Sequence, residues 1–372
     1  MWNFDWPKAY PETNAQGILK LTPEDFQVDE LPLMMPCGEG EHIYLHIKKR
    51  EVNTHWVARL LAEKLGVKEQ DVSYAGQKDR YAVTTQWFSI YAPKVDVLLE
   101  TRPFPDEDIE ILQQTRHSKK LRRGDLIGNR FNITLRSIKP VSTSAMTGEE
   151  LTLAIEKNLQ QIKLSGVPNY FGLQRFGRGG GNMDQALAML TGKRREKNRQ
   201  KKSRYLSAAR SYIFNQVIAE RINQGLWGKT LLGDVDVANA VTEQSQQVTG
   251  PLWGRGRLSS QDDTLALEKV VSGPFHELCD GMEHAGLNQE RRAIVSNIEN
   301  MQWQWLQEEQ DGGVLNISFA LASGHYATSV LQEFISFEEP ERLDNKPFVY
   351  NGSLEVGAAD SAPPISKPEE RN

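Results

Sequence analysis

Cysteine is almost missing from this sequence. Cys37 and Cys279 stand far apart and form no C-x-x-C pair, which argues against a disulfide framework and against a zinc ribbon. No run of about 18 apolar residues occurs, so no membrane-spanning helix is expected. The first residues, MWNFDWPKAYPE, lack a basic region followed by an apolar stretch, and no secretory signal is expected from them. The G-x-x-x-x-G-K-[ST] phosphate loop and the G-x-S-x-G nucleophile elbow are both lacking. FGRGGGN (176–182) is rich in glycine but does not have the dinucleotide-binding spacing, and no strand clearly precedes it. His42 and His46, near Cys37, have no matching fourth ligand and read as alternate positions of a strand. These absences point to a cytoplasmic protein with no metal and no cofactor.

What the sequence does hold is charge in blocks. The net charge is −5, but Arg175 to Arg210 carry eleven lysines and arginines against only Asp184 and Glu196. Arg116 to Arg136 carry seven against Asp125. An isolated charge run is usually a solvated helix face. Two such runs in an acidic protein fit a polyanion binder, because clustered Lys and Arg hold phosphates whatever the total charge.

A chain of 372 residues can bury a sizeable core in two domains or one large one. GILKLTPEDFQVDELP (17–32) has short strand-like runs around a Pro23-Glu24-Asp25 turn. NTHWVARLLAEKLG (53–66) predicts an amphipathic helix with a stripe of Trp56, Val57, Leu60, Leu61 and Leu65, capped by Asn53 or Thr54 and ended by Gly66. VSYA (72–75) and AVTTQWFSIYA (82–92) read as strands, as do the alternating RFNITLRSI (130–138) and VLNISFALAS (314–323). SAARSYIFNQVIAERI (207–222) repeats its apolar residues with a helical period. Strands at both ends with a basic, more helical middle suggest a discontinuous domain carrying an insertion. The tail from about Val349 is rich in proline, serine and acid, and is expected to be disordered.

The stretch YAGQKDRYAVTTQWF (74–88) places a charged Gly-Gln-Lys-Asp-Arg turn between two apparent strands. An aspartate in a turn commonly bonds only its local backbone. Asp79, however, sits just past a strand on a Gly-led turn, where scaffolds present functional side chains. A carboxylate with an ordinary pKa near ~4 is ionised at neutral pH, and a neighbouring cation keeps it so. It can then act as nucleophile or base without a metal.

SYAGQKDRYAVTTQWF resembles the catalytic motif of the TruD family of tRNA pseudouridine synthases, in which the Asp of [GA]-G-x-K-D is catalytic. TPEDFQVDE (22–30), with Lys20 upstream, resembles the family's P-E-D-F-x-V-x-E signature. RRGDLIGNRFNITLR (122–136), GVPNYFGLQRFG (166–177), SAARSYIFNQ (207–216), GPLWGRG (250–256) and SGHYATSVLQE (323–333) resemble further family segments, in family order, over about residues 17–336.

The resemblance implies an isomerase that turns a uridine of tRNA, uridine 13 in the family, into pseudouridine without any cofactor. It implies an α+β fold: a mixed, largely antiparallel catalytic sheet built from both ends of the chain, with an inserted second α/β lobe. Residues 1–165 and 301–340 would form the catalytic domain, 166–300 the insertion and 341–372 the tail, with tRNA in the cleft between lobes. No obligate protein partner is evident. Asp79 takes the catalytic position, with Lys20 as its favoured cation and Lys78 either structural or facing phosphate. Covalent attack and proton removal to a glycal stay equally open. Phe26 and Asn129 match substrate-contact positions. Tyr326 stands where the family commonly has Phe, and its added hydroxyl needs a polar partner or water. Arg122, Arg123, Arg175, Arg178, Arg194, Arg195, Lys201 and Lys202 are expected to face tRNA phosphates. Two rivals are weaker: an inactive RNA-binding relative, and a glycoside hydrolase using Asp79 with Glu24, Asp25 or Asp29.

Overall fold

In strand β1 (Ala15–Leu19) every second residue is buried, and Lys20 closes it. A single 3-10 turn at Pro23–Asp25 then leads into β2 (Phe26–Pro32), where Phe26, Val28 and Glu30 point inward. The chain continues through β3 (His42–Arg50), α1 (Thr54–Leu65), β4 (Val72–Tyr74), β5 (Val83–Tyr91), β6 (Ile109–His117), β7 (Leu126–Pro140) and α2 (Gly148–Ser165). This computed structural model describes residues 2–95, 99–105, 107–237, 247–309 and 312–341. Most of the tail expected to be disordered, from 342 onward, lies outside the described residues.

The middle of the chain is richer in helix: β8 (Val167–Pro168), α3 (Gly181–Leu190), α4 (Arg199–Asn223), β9 (Asp236–Val237), β10 (Gln247–Leu252), α5 (Asp262–Ser272), α6 (His276–His284), β11 (Glu290–Ala293) and β12 (Val295–Ser296). Two long strands follow, β13 (Glu299–Glu309) and β14 (Gly312–Ala322), then α7 (Ala327–Gln332) and β15 (Ser336–Glu338).

Ten strands from the two ends join in one mixed sheet with the path β13-β14-β7-β2-β5-β3-β6. β7 is its spine. It pairs antiparallel with β14 on one side, and with β2 and then β1 on the other. Among the described residues of this sheet only β2–β5 and β1–β15 pair in parallel. The register sets Phe131, Ile133 and Leu135 of β7 opposite Phe319, Ile317 and Leu315 of β14, so the alternation read in both segments falls on one buried face. Leu151, Ile155, Leu159 and Ile162 of α2 join that core. Thr147 starts α2 with a capping box, its side chain and that of Glu150 serving each other's backbone N–H.

α1 covers a second core made with β3, β4 and β5. It ends at Gly66 in the left-handed conformation, φ 64°. Neither Asn53 nor Thr54 makes a side-chain capping bond; the Thr54 hydroxyl is used elsewhere, as described below. A third core gathers residues between Tyr170 and Ile294, and Trp2, Phe4 and Trp6 pack against it from the other end of the chain. Gly180 makes that possible: a Cβ there would lie 2.7 Å from the Phe4 ring. The glycine run at 176–182 is therefore a packing device as well as a turn. Among the described residues no helix is long and apolar enough to cross a membrane.

Candidate active site

The loop from Gly76 to Arg80 joins β4 to β5 and is held from below by buried polar side chains. Thr54, the first residue of α1, accepts the Lys78 backbone N–H at 3.0 Å and donates to Gln86 Oε1 at 2.9 Å. Gln86 in turn donates to the Gly76 carbonyl at 3.1 Å. Lys49 of β3 donates to the Asp79 carbonyl at 2.9 Å. Lys78 reaches inward to Glu30 Oε2 at 2.7 Å, and the other Glu30 oxygen accepts the Trp87 N–H at 3.1 Å. Thr54, Gln86, Lys49 and Glu30 are all buried. Paired this way they satisfy one another and fix the loop, whereas unpaired each would cost ~1–3 kcal/mol or more.

The result is a rigid backbone with one carboxylate outside it. The Asp79 side chain is 55% exposed, and Lys20 Nζ stands 3.7 Å from its Oδ2. Lys20 also lies 3.4 Å from Glu339 Oε1 and 4.4 Å over the centre of the Phe26 ring. Its backbone has φ 58°, a left-handed conformation that costs a residue with a side chain ~1–2 kcal/mol. Lys20 is thus held between a ring and two carboxylates. The two lysines considered as cations for Asp79 separate cleanly: Lys20 pairs with the exposed carboxylate, and Lys78 is buried against Glu30.

Phe26 is 2% exposed and meets Phe131 edge-on at 6.2 Å. Its ring supports Lys20 from within the core. Asn129 lies on β7, opposite Glu30 of β2 and Leu321 of β14. Its side-chain oxygen is buried and has no hydrogen-bond partner among the described residues, so an incoming N–H would relieve an unsatisfied acceptor. Tyr326 begins α7 just beyond β14. The partner its hydroxyl requires is Arg175, which donates to it at 3.0 Å and to Ser207 at 2.9 Å. Arg175 is thereby tied inside the protein. Behind it, Arg292 bonds Asn169 and the Gly324 carbonyl, and burial pulls its guanidinium down to about 10.

The remaining basic residues sit outside. Arg122, Arg123, Arg178, Arg194, Arg195, Lys201 and Lys202 all reach the surface. Arg123 lies over Tyr74 at 4.0 Å, and Lys201 is in the first turn of α4, capped by Asn198. Lys202 lines a surface groove with Arg199, Arg210 and Ser207. The three carboxylates offered for a hydrolase are otherwise engaged. Glu24 pairs with Arg50 at 2.6 Å, Asp25 with Arg136 at 2.9 Å, and Asp29 accepts from the Thr85 hydroxyl at 2.8 Å.

The model of the tRNA pseudouridine synthase D (TruD) family matches residues 9–196 and 180–334. The tRNA pseudouridine synthase D of Aeromonas hydrophila is 44% identical over 345 residues, covering 88% of this chain and 93% of its own. The chain belongs to the TruD family. The Cellvibrio japonicus tRNA pseudouridine synthase D is 40% identical over 346 residues, covering 91% and 95%. A crystal structure described as a TruD protein of Methanosarcina mazei aligns with TM-score 0.63 and 22% identity, over 90% of this chain and 95% of that one. That likeness extends the TruD fold to the sheet described above.

Sequence reasoning missed Glu30, Lys49, Thr54, Gln86 and Glu339. Two of them carry a signal. Glu30 continues the Phe26, Val28 row, and Lys49 continues the Ile43, Leu45, Ile47 row. A charged residue in phase with a buried row requires a partner.

Proposed function

We propose that this TruD-family chain isomerises a uridine of tRNA, at position 13, to pseudouridine, with Asp79 as the catalytic carboxylate. The observation that carries the proposal is the contrast at Asp79. Its backbone is pinned by buried groups while its carboxylate stands half-exposed beside Lys20 at 3.7 Å. Preorganised charge at an accessible point is what such chemistry needs.

The reaction breaks the N1–C1′ bond, turns the uracil and joins C5 to C1′. The C5 hydrogen leaves as a proton and N1 gains one, so atoms and electrons balance without a cofactor. Asp79 either attacks the nucleoside or takes a sugar proton, with Lys20 beside it at 3.7 Å in either role. The uridine leaves the helical stack to be reached. Asn129 offers its free amide oxygen to the base and Tyr326 a ring face. Phe26, buried beneath Lys20, backs the site from within the core. Residues 166–300 act as an inserted lobe, with tRNA bound in the cytoplasm between it and the catalytic sheet, and the exposed basic runs meeting phosphates.

The test is tritium release from an unmodified tRNA transcript carrying [5-³H]uridine, with wild type and Asp79→Asn in parallel. Release by wild type alone, mapped to one uridine, supports the proposal. Binding without release by either protein leaves an RNA-binding module. Equal release by both means that another carboxylate does the work.

A further inference from the structure

Lys49 occupies a position where a lysine is rarely found. It follows Ile43, Leu45 and Ile47 on the buried face of β3 and has no exposed surface. Its register partner on β5, Thr84, is equally buried, and on β6 it faces Ile109. Nζ donates to the Asp79 carbonyl at 2.9 Å. The neighbouring carbonyl and N–H of the same loop, at Gly76 and Lys78, are held by the neutral Gln86 and Thr54. At Asp79 the buried donor is instead a cation, although a neutral donor would hold a carbonyl at lower desolvation cost.

We propose that Lys49 is a positioning residue for Asp79, fixing its main chain and placing a buried positive charge behind its carboxylate. The inference rests on Asp79 being the catalytic group. Lys20 then stands beside the carboxylate and Lys49 behind the main chain that carries it.

The charge is also adjustable. Burial holds the Lys49 ammonium down to about 8, with Asp79 raising it and Lys78 lowering it. Glu30 on β2 is paired with Lys78, and Lys20 flanks Asp79 from the end of β1. Its strand partners on β5 and β6, Thr84 and Ile109, carry no charge. Because the folded pKa lies below the usual 10.5, the folded protein binds fewer protons than the unfolded chain between about 8 and 10.5. Through this group, stability rises with pH across that window. Activity that falls above about pH 8 would therefore separate from unfolding.

The experiment is single-turnover pseudouridine formation at saturating enzyme between about pH 6.5 and 9.5, with melting temperature and tRNA affinity measured on the same samples. Wild type is expected to lose rate above about pH 8 with no matching loss of melting temperature. Lys49→Met replaces the stem without the charge. It is expected to slow the step by at least ~10-fold at neutral pH, to leave affinity within about two-fold, and to lose the alkaline fall. Lys49→Arg keeps a charged donor and should recover part of the rate while holding it to higher pH. A folded Lys49→Met at wild-type rate would overturn the inference, as would a flat wild-type profile, which needs no variant to fold. Asp79→Asn, run alongside, separates the two ideas. If it is inactive while Lys49→Met is normal, only Lys49 loses its role; if it is active, the assignment of Asp79 fails first.

Discussion

Two segments of this chain are both rich in charge and have opposite fates. The loop Gly76–Arg80 holds Lys78, Asp79 and Arg80, and the run Lys193–Arg204 holds eight Lys and Arg against Glu196. In the loop the Gly76 and Asp79 carbonyls, the Lys78 N–H and the Lys78 ammonium face inward to buried partners, and the Asp79 carboxylate is left outside. In the run the side chains stand in solvent, with a cap at Asn198 and an ion pair of Arg194 with Glu196 at 3.7 Å. A charge held by buried partners fixes geometry, and a charge in water attracts a polyanion without fixing anything. On the function proposed above, chemistry at one atom and grip on a large ligand would fall to these two physical states of charge.

Substitutions can break that comparison, and the largest effect belongs to the exposed carboxylate of the loop. Asp79→Asn should lower single-turnover pseudouridine formation by at least ~10³-fold with tRNA affinity unchanged, since a lost catalytic carboxylate is not replaced by an amide. Lys78→Met should act on stability. It leaves Glu30 buried without its cation, and urea unfolding should show a loss of about 3–5 kcal/mol. Glu30→Gln in the same background should return part of it.

Glu333 sharpens the point, because it is a buried carboxylate held by the backbone N–H groups of Ala9 and Tyr10. Burial pushes its carboxyl up to about 7 from an ordinary 4.5. The folded state therefore binds the extra proton between those values, and the stabilisation is complete below 4.5 and lost as pH rises through about 7. Glu333→Gln should be nearly neutral at pH 4.5 and should raise stability by about 1–3 kcal/mol at pH 8, seen as a melting-temperature difference that grows with pH. The smallest effects belong to the exposed run. Lys201→Glu with Lys202→Glu should weaken tRNA binding and lower the slope of log affinity against log salt by ~1 for each phosphate that is no longer neutralised, leaving the bound-state rate intact. Unchanged affinity at both low and high salt would remove the run from the interface.

Much of the fold could be read before the structure. Alternation placed β7 and β14 because each has one wet and one dry face, and the helical period placed α1 and the second half of α4. The start of α4 was harder to see: Arg199 to Arg204 has no apolar stripe, and the helix there depends on the Asn198 cap and the packed turns that follow. Thr54 was misjudged for a related reason. A hydroxyl at a helix start looks like a cap, but tertiary contact gave it to Lys78 and Gln86. Asp79, Lys20 and Asn129 were singled out through motif and family, and of these the structure brings Lys20 to 3.7 Å from Asp79. The Arg175–Tyr326 pair was not, since it joins residues 151 positions apart and nothing local in either segment demands the other.

The central place of β7 has a consequence for how the chain is made. Its partner β14 is synthesised only after the whole helical middle, while Phe131, Ile133 and Leu135 wait on an unpaired edge. At ribosomal speeds of ~5–20 residues per second, that wait lasts about ten to thirty seconds. For that time the nascent sheet has an open, apolar border, the condition that invites mispairing with other chains. In the folded chain the middle segment closes on itself, because β12 pairs with β8 and sets Val295 beside Pro168 just before β13 begins. A middle segment that returns the chain to its own starting point shortens the loop over which the last strands must find β7.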